Sequence, residues 1–188
     1  MSLNLSSASD GELAALQLSG SEPAARELMH RHRAPIYRLV QNHIGDASEA
    51  LDVTQEAFVA AFAGLRSYDQ SRPLRVWLAR IAINKCRDWA RRRAVRRFFT
   101  FAAPLEAADH TAADLVPADR ALAAVQELAA VRAAIAALPA TLKEPLILRT
   151  IEGLSETETA EALGISNKAV ETRLYRARGM LKRMLHSD

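Results

Sequence analysis

The sequence predicts an all-α fold: two small helical domains joined by an acidic linker, the C-terminal one a helix-turn-helix. Three observations lead there. Apolar residues recur at helical spacing almost throughout, and no stretch alternates apolar and polar as a half-buried strand does. The pattern breaks over residues 101–118, where Pro104 and Pro117 sit among Glu106, Asp109 and Asp114 with no apolar stripe. Near the end, a short capped segment, a glycine and a longer amphipathic segment follow one another. The expected boundaries are 1–99, 100–118 and 119–188.

The elements follow in order. Ser9-x-x-Glu12 has the form of a capping box opening a short helix. Pro23 suits the first turn of a second helix running to Ile44, which Pro35 should kink or divide, because proline cannot donate to the preceding turn. Asp46 caps a third helix that ends near Gly64, with Leu51, Phe58, Phe62 and Leu65 on its buried face. Pro73 begins a long fourth helix reaching Phe99. Its apolar side is Leu78, Ile81, Ala82 and Trp89, and Trp77 is also read as core. Beyond the linker, helix resumes from Asp119 to Leu138, and Thr141-x-x-Glu144 and Ser155-x-x-Glu158 form two further capping-box patterns.

The last motif is the most specific. Ser155 caps a short helix, Gly164 supplies the positive φ of a sharp turn, Ile165 plugs the angle, and Ser166 caps the next helix. In that second helix Val170, Leu174, Ala177 and Leu181 face the core. A recognition helix reads base edges with its early turns and holds phosphates with later cations. Lys168, Glu171, Thr172 and Arg176 are therefore candidate base readers, and Arg173, Arg178 and Lys182 candidate backbone contacts.

Composition narrows the function further. The 188 residues carry a net charge of +3, but it is segregated: −4 over residues 1–65, +9 over 66–100, −6 over 101–165 and +4 over 166–188. Two basic blocks between acidic ones point to two anion-binding surfaces, for which nucleic acid is the commonest partner. The single cysteine, Cys86, excludes an internal disulfide and fits a small core residue in a reducing, cytoplasmic setting. Residues 1–9 lack the basic and apolar blocks of a signal peptide, and no segment is apolar enough to span a membrane.

Two helices of the N-terminal half carry surface patterns. Asp52, Gln55, Glu56 and Val59 share a face of the third helix, either a solvated stripe or a protein-docking surface. Arg80, Asn84, Arg87 and Arg91 line the fourth helix opposite its apolar side, where cations can track a phosphate backbone and an amide can meet a base edge.

Asp52-Val53-Thr54-Gln55-Glu56-Ala57-Phe58 resembles the D-x-x-Q-E-x-F signature of bacterial RNA polymerase sigma factors. Pro73 to Arg93, PLRVWLARIAINKCRDWARRR, is similar to their −10-element helix, and Leu154 to Leu181, LSETETAEALGISNKAVETRLYRARGML, to their −35-reading helix-turn-helix. Three signatures in this order, in so short a chain, resemble the two-domain extracytoplasmic-function class. The resemblance implies that Asp52, Gln55 and Glu56, with Val59 beside them, dock on core RNA polymerase. It implies that the loop Ser67–Arg72, with Tyr68 its one stacking side chain, helps capture a flipped −10 base beside Arg80, Asn84 and Arg87. It also implies promoter DNA as a partner, a linker threading into polymerase, and an anti-sigma factor covering the Asp52–Glu56 face and residues 170–185. Glu171 stands where the family often has Lys or Arg, so it either accepts from a cytosine amino group or orients Lys168 or Arg176.

Other classes explain less. A stand-alone repressor leaves the acidic face and the second basic helix without a role, and a decoy for an anti-sigma factor has no need of basic stripes. The five histidines have no metal-ligand spacing, and no glycine-rich phosphate loop occurs. The chain is expected to be no enzyme and to need no metal or cofactor.

Overall fold

The computed structural model describes residues 5–100 and 119–185, helical apart from short connections and without a strand among the described residues. Most of the predicted linker lies outside that range. The N-terminal domain packs α1 (Asp10–Leu18), α2 (Glu22–Ile44), α3 (Ala47–Gly64) and α4 (Leu74–Thr100) around a shared core. The C-terminal domain holds α5 (Asp119–Ala137), α6 (Ala140–Leu146), a wide π turn (Ile147–Ile151), α7 (Glu156–Leu163) and α8 (Asn167–Leu185). Among the described residues no helix is long and apolar enough to cross a membrane.

Local chemistry explains most of these bounds. Ser9 and Ser155 each form the reciprocal capping box with the glutamate three residues on. The Asp46 carboxylate accepts from the Ser48 and Glu49 amides. Gly164 closes α7 at φ 65°, and the Ser166 hydroxyl accepts from the Ala169 amide to start α8. Arg31 gathers the N-terminal turn, donating to the carbonyls of Leu5, Ser6 and Ala8.

Two expectations are corrected, and a third is narrowed. Of the kink or division expected at Pro35, the division does not occur: α2 runs unbroken to Ile44. An interior proline costs about 3 kcal/mol, and here Leu28 before it and Ile36, Leu39 and Val40 after it are all buried, so packing outweighs the lost bond. Leu51 is 44% exposed rather than core: the buried face of α3 is set by Ala50, Val53, Thr54, Ala57, Phe58 and Ala61, one position round. Thr141 and Glu144 form no capping box. Pro139 starts α6 without a side-chain cap, and Glu144 turns inward to the other domain.

The two domains meet along a seam with a continuous apolar interior, in which Val40 and Ile44 join Ile135, Leu138, Leu146 and Leu148. Gly45 ends α2 at φ 84° and sits so close to α5 that a Cβ there would lie 2.9 Å from the Ala136 Cβ. Lys143 crosses the seam and donates to the carbonyls of His43 at 3.0 Å and Ala136 at 2.6 Å.

Candidate functional site

Three surfaces collect the residues singled out by the sequence. On α3, Asp52, Gln55, Glu56 and Val59 line one shallow depression of about 550 Å³ together with Lys85 of α4. Val59 is 70% exposed although apolar, and it lies among carboxylates. Glu56 is met by Arg92, 3.1 Å from both of its oxygens, and the Trp89 indole N–H donates to Glu49 at 2.7 Å. Those two contacts fix the pitch of α3 against α4, and neither followed from helical periodicity, which says nothing about the partner helix.

The second surface is a cleft of about 580 Å³ between the 67–72 loop and α4. Tyr68, Trp77, Arg80 and Asn84 all line it. The Tyr68 ring lies 5.4 Å from that of Trp77, and its hydroxyl donates to the Arg72 carbonyl at 2.6 Å. Trp77, expected in the core, is only partly buried and forms a wall of this cleft. The combination of an aromatic pair, an amide and guanidinium groups suits an unstacked nucleotide base and its phosphate.

Two members of the basic stripe lie elsewhere. Arg87 donates through Nε and Nη2 to both Glu144 oxygens, at 2.8 and 2.5 Å, and only secondarily approaches Asn84. Arg91 pairs with Asp88 and faces a groove shared with Glu49, Asp52 and Glu56, more than two turns from Arg80. The stripe is continuous in sequence but divides between three environments in space.

Glu144 shows how firmly Arg87 is held. Burial pushes its carboxyl up, but the Arg87 hydrogen bonds and nearby His43 outweigh this and leave it below the usual carboxylate range. His43, 3.6 Å from Glu144, has neither ring nitrogen hydrogen-bonded, and burial holds it below the usual histidine value. Cys86 is fully buried, and burial pushes its thiol up to about 12. It is inert core.

The third surface is the outer side of α8. Lys168, Glu171, Thr172, Arg176, Arg178 and Lys182 are exposed and Arg173 is half-buried, over a core of Val170, Leu174 and Ala177. In the free chain the Glu171 carboxylate accepts from the Lys168 ammonium at 2.6 Å. The Thr172 hydroxyl donates to the Lys168 carbonyl at 2.8 Å. Tyr175 projects between these residues, 82% exposed.

Known proteins share this layout. The family description "Sigma-70 region 2" matches residues 28–96, and "Sigma-70, region 4" matches residues 128–181. The RNA polymerase sigma factor CnrH of Cupriavidus metallidurans is 38% identical over 95% of this chain and 95% of its own length. The ECF RNA polymerase sigma factor SigM of Mycobacterium tuberculosis is 31% identical over 94% of this chain and 85% of its own. The solved structure of CnrH in complex with the cytosolic domain of CnrY superposes with a TM-score of 0.70, at 32% identity, covering 95% of this chain and 98% of that one. The matches take in both the cleft-bearing domain and the helix-turn-helix, and the chain belongs to the sigma factors of RNA polymerase, in their extracytoplasmic-function class.

Proposed function

We infer that this chain directs core RNA polymerase to its promoters and starts DNA melting there, itself performing no covalent chemistry. One observation carries the residue assignment. The Tyr68–Trp77 pair, Arg80 and Asn84 converge on a single cleft in the domain whose neighbouring helix presents an exposed apolar valine among acids. Asp52, Gln55, Glu56 and Val59 dock on polymerase. Tyr68, Arg80 and Asn84 take the −10 strand, joined by Arg87 and Arg91 once their carboxylates release them. Lys168, Thr172 and Arg176 read the −35 element, with Glu171 orienting Lys168, while Arg173, Arg178 and Lys182 hold phosphates. Residues 1–99 and 119–188 act as the two modules and 100–118 as the tether, in the cytoplasm, needing no metal or cofactor. Capture of an unpaired base would offset the cost of unpairing.

CnrH was solved bound to the cytosolic domain of CnrY, and the sigma factor RpoE was solved in complex with the anti-sigma factor NepR from Bartonella quintana. By analogy, this chain is held inactive by an anti-sigma protein on the α3 face and on α8. The reading is tested by transcription with purified core polymerase on a randomised promoter library. Transcripts that need this chain and share two spaced motifs support it, and Asp52→Arg should abolish polymerase binding with helix content unchanged. Binding that survives Asp52→Arg would remove the α3 face from the docking surface.

A further inference from the structure

We propose that the C-terminal end of α4 is a docking site for an anionic lipid bilayer surface. This partner is additional to polymerase and promoter DNA, and the inference stands independently of the assignments above.

Trp89 is the last residue of α4 buried in the domain core. From Ala90 to Phe99 every residue is exposed except half-buried Arg93. The final turns of the helix therefore bury no face of their own, although short helical stretches are marginal in water unless an apolar face is covered. That face is well defined. Val95, Phe98 and Phe99, at i, i+3 and i+4, share one arc and are 56%, 78% and 69% exposed. Arg91 and Arg92 continue the row toward the body of the domain, and Arg96 and Arg97 lie on either flank. Residues 88–99 carry five arginines against one aspartate. The acids Asp88, Glu56 and Glu49, which border the patch, are tied to Arg91, Arg92 and the Trp89 indole.

This arrangement matches a surface that has phosphates at one level and hydrocarbon just beneath. Phenylalanine rings enter the boundary between headgroups and acyl chains, and arginine stems lie along the apolar layer while their guanidinium groups reach the phosphates. A dense row of like charges also needs many anions side by side, which a headgroup layer supplies. Nucleic acid fits less well. The two rings meet edge to face, with centroids 5.8 Å apart and planes at 85°, so they offer no parallel faces between which a base could slide. Exposed Val95 adds an aliphatic side chain, which hydrocarbon accepts and on which a base cannot stack.

The probe is a vesicle of equal parts phosphatidylglycerol and phosphatidylcholine, with phosphatidylcholine alone as the neutral comparison, and binding of the full-length protein is read by flotation. Wild type should bind the anionic vesicles far better than the neutral ones, and less as salt rises. Phe98→Ala/Phe99→Ala should weaken binding at least about tenfold, through lost apolar insertion. Arg96→Gln/Arg97→Gln should weaken it by roughly five- to twenty-five-fold, at about fivefold for each charge. Both pairs of side chains are exposed, and unchanged circular dichroism checks that the fold is kept. In Phe99→Trp protein, indole emission should move to shorter wavelength on anionic vesicles, which contact by charge alone would not produce. Absence of binding to anionic vesicles, or binding that both double variants retain, would overturn the proposal. So would vesicle binding that survives Phe98→Ala/Phe99→Ala while binding to a labelled single-stranded oligodeoxynucleotide is lost, because the patch would then belong to nucleic acid.

Discussion

Gly45 offers the sharpest test of how tightly the two domains fit. Its φ of 84° places it in the left-handed region, and a side chain there would stand 2.9 Å from the Ala136 Cβ across the seam. Gly45→Ala therefore adds two costs. The backbone term for an L-residue in this conformation is about 1–2 kcal/mol. The contact lies well inside van der Waals distance, and since both groups are held by helix backbone, relief requires a shift, for which overpacking costs about 1–3 kcal/mol. The sum is about 2–5 kcal/mol. Gly164→Ala is the matched control: φ is 65°, but nothing lies within 4 Å of the added methyl, so only the first term applies. Urea unfolding of both variants should separate them by about 1–3 kcal/mol. Ala136→Gly in the Gly45→Ala background should return part of the difference, giving a coupling energy of about 0.5–3 kcal/mol. Equal losses for the two glycine variants with no coupling to Ala136 would refute the close fit.

Further outcomes follow from individual groups. Burial, opposed by Glu144 and aided by Lys143 and Arg87, holds His43 below its ordinary value of 6.5, so the unfolded chain takes up its proton first. Its contribution to stability is present above about pH 6.5 and is lost as pH falls from there through the lowered folded value. Thermal melts at pH 7.5 and 5.5 should show that loss, and His43→Phe should flatten it; an equal slope in the variant would exclude His43. Ser155→Ala removes an acceptor and should cost about 1 kcal/mol, seen as faster amide exchange in the first turn of α7. Unchanged protection there would mean that the box contributes nothing. Arg176→Ala should relax −35 base preference by about 1–3 kcal/mol in a competition assay, and preserved preference would remove Arg176 from the reading set.

Features that depend on a few neighbouring residues were legible in the sequence. Ser9 with Glu12, Asp46, Ser155 with Glu158, and Gly164 all act within one turn, and each does what its pattern predicts. Thr141-x-x-Glu144 has the same form but fails, because the local gain of a cap is small beside satisfying a buried carboxylate with Arg87. Leu51 misled for a related reason: periodicity defines a stripe, but the helices packed against it decide which edge is covered. The residues of the α3 face and of α8 lie side by side as their spacing implied, since each set sits on one helix. The α4 stripe does not stay together, because Arg87 answers to Glu144, distant in sequence, while Arg91 pairs with Asp88 and faces the groove beside α3. The segregated charge was visible, but not that Arg72, Arg75 and Arg87 of the +9 block pair with Glu161, Glu158 and Glu144 of the −6 block across the seam, because those partners lie far off in the sequence.

Lys143 joins two helix ends at one ammonium. α2 and α5 both finish beside it, and each helix C-terminus carries about half a negative charge, so the lysine neutralises two converging dipoles through the carbonyls of His43 and Ala136. Acceptors of this kind belong to the main chain. Residues 43 and 136 can therefore change identity without losing them, whereas a change in helix length cannot be absorbed. One residue inserted into or deleted from α2 would rotate its final carbonyl by roughly 100° about the helix axis and carry it out of reach. The angular phase of α2 thus acts as a gauge between the domains, and the number of residues from Glu22 to Ile44 matters more to their alignment than the identity of any side chain at its end.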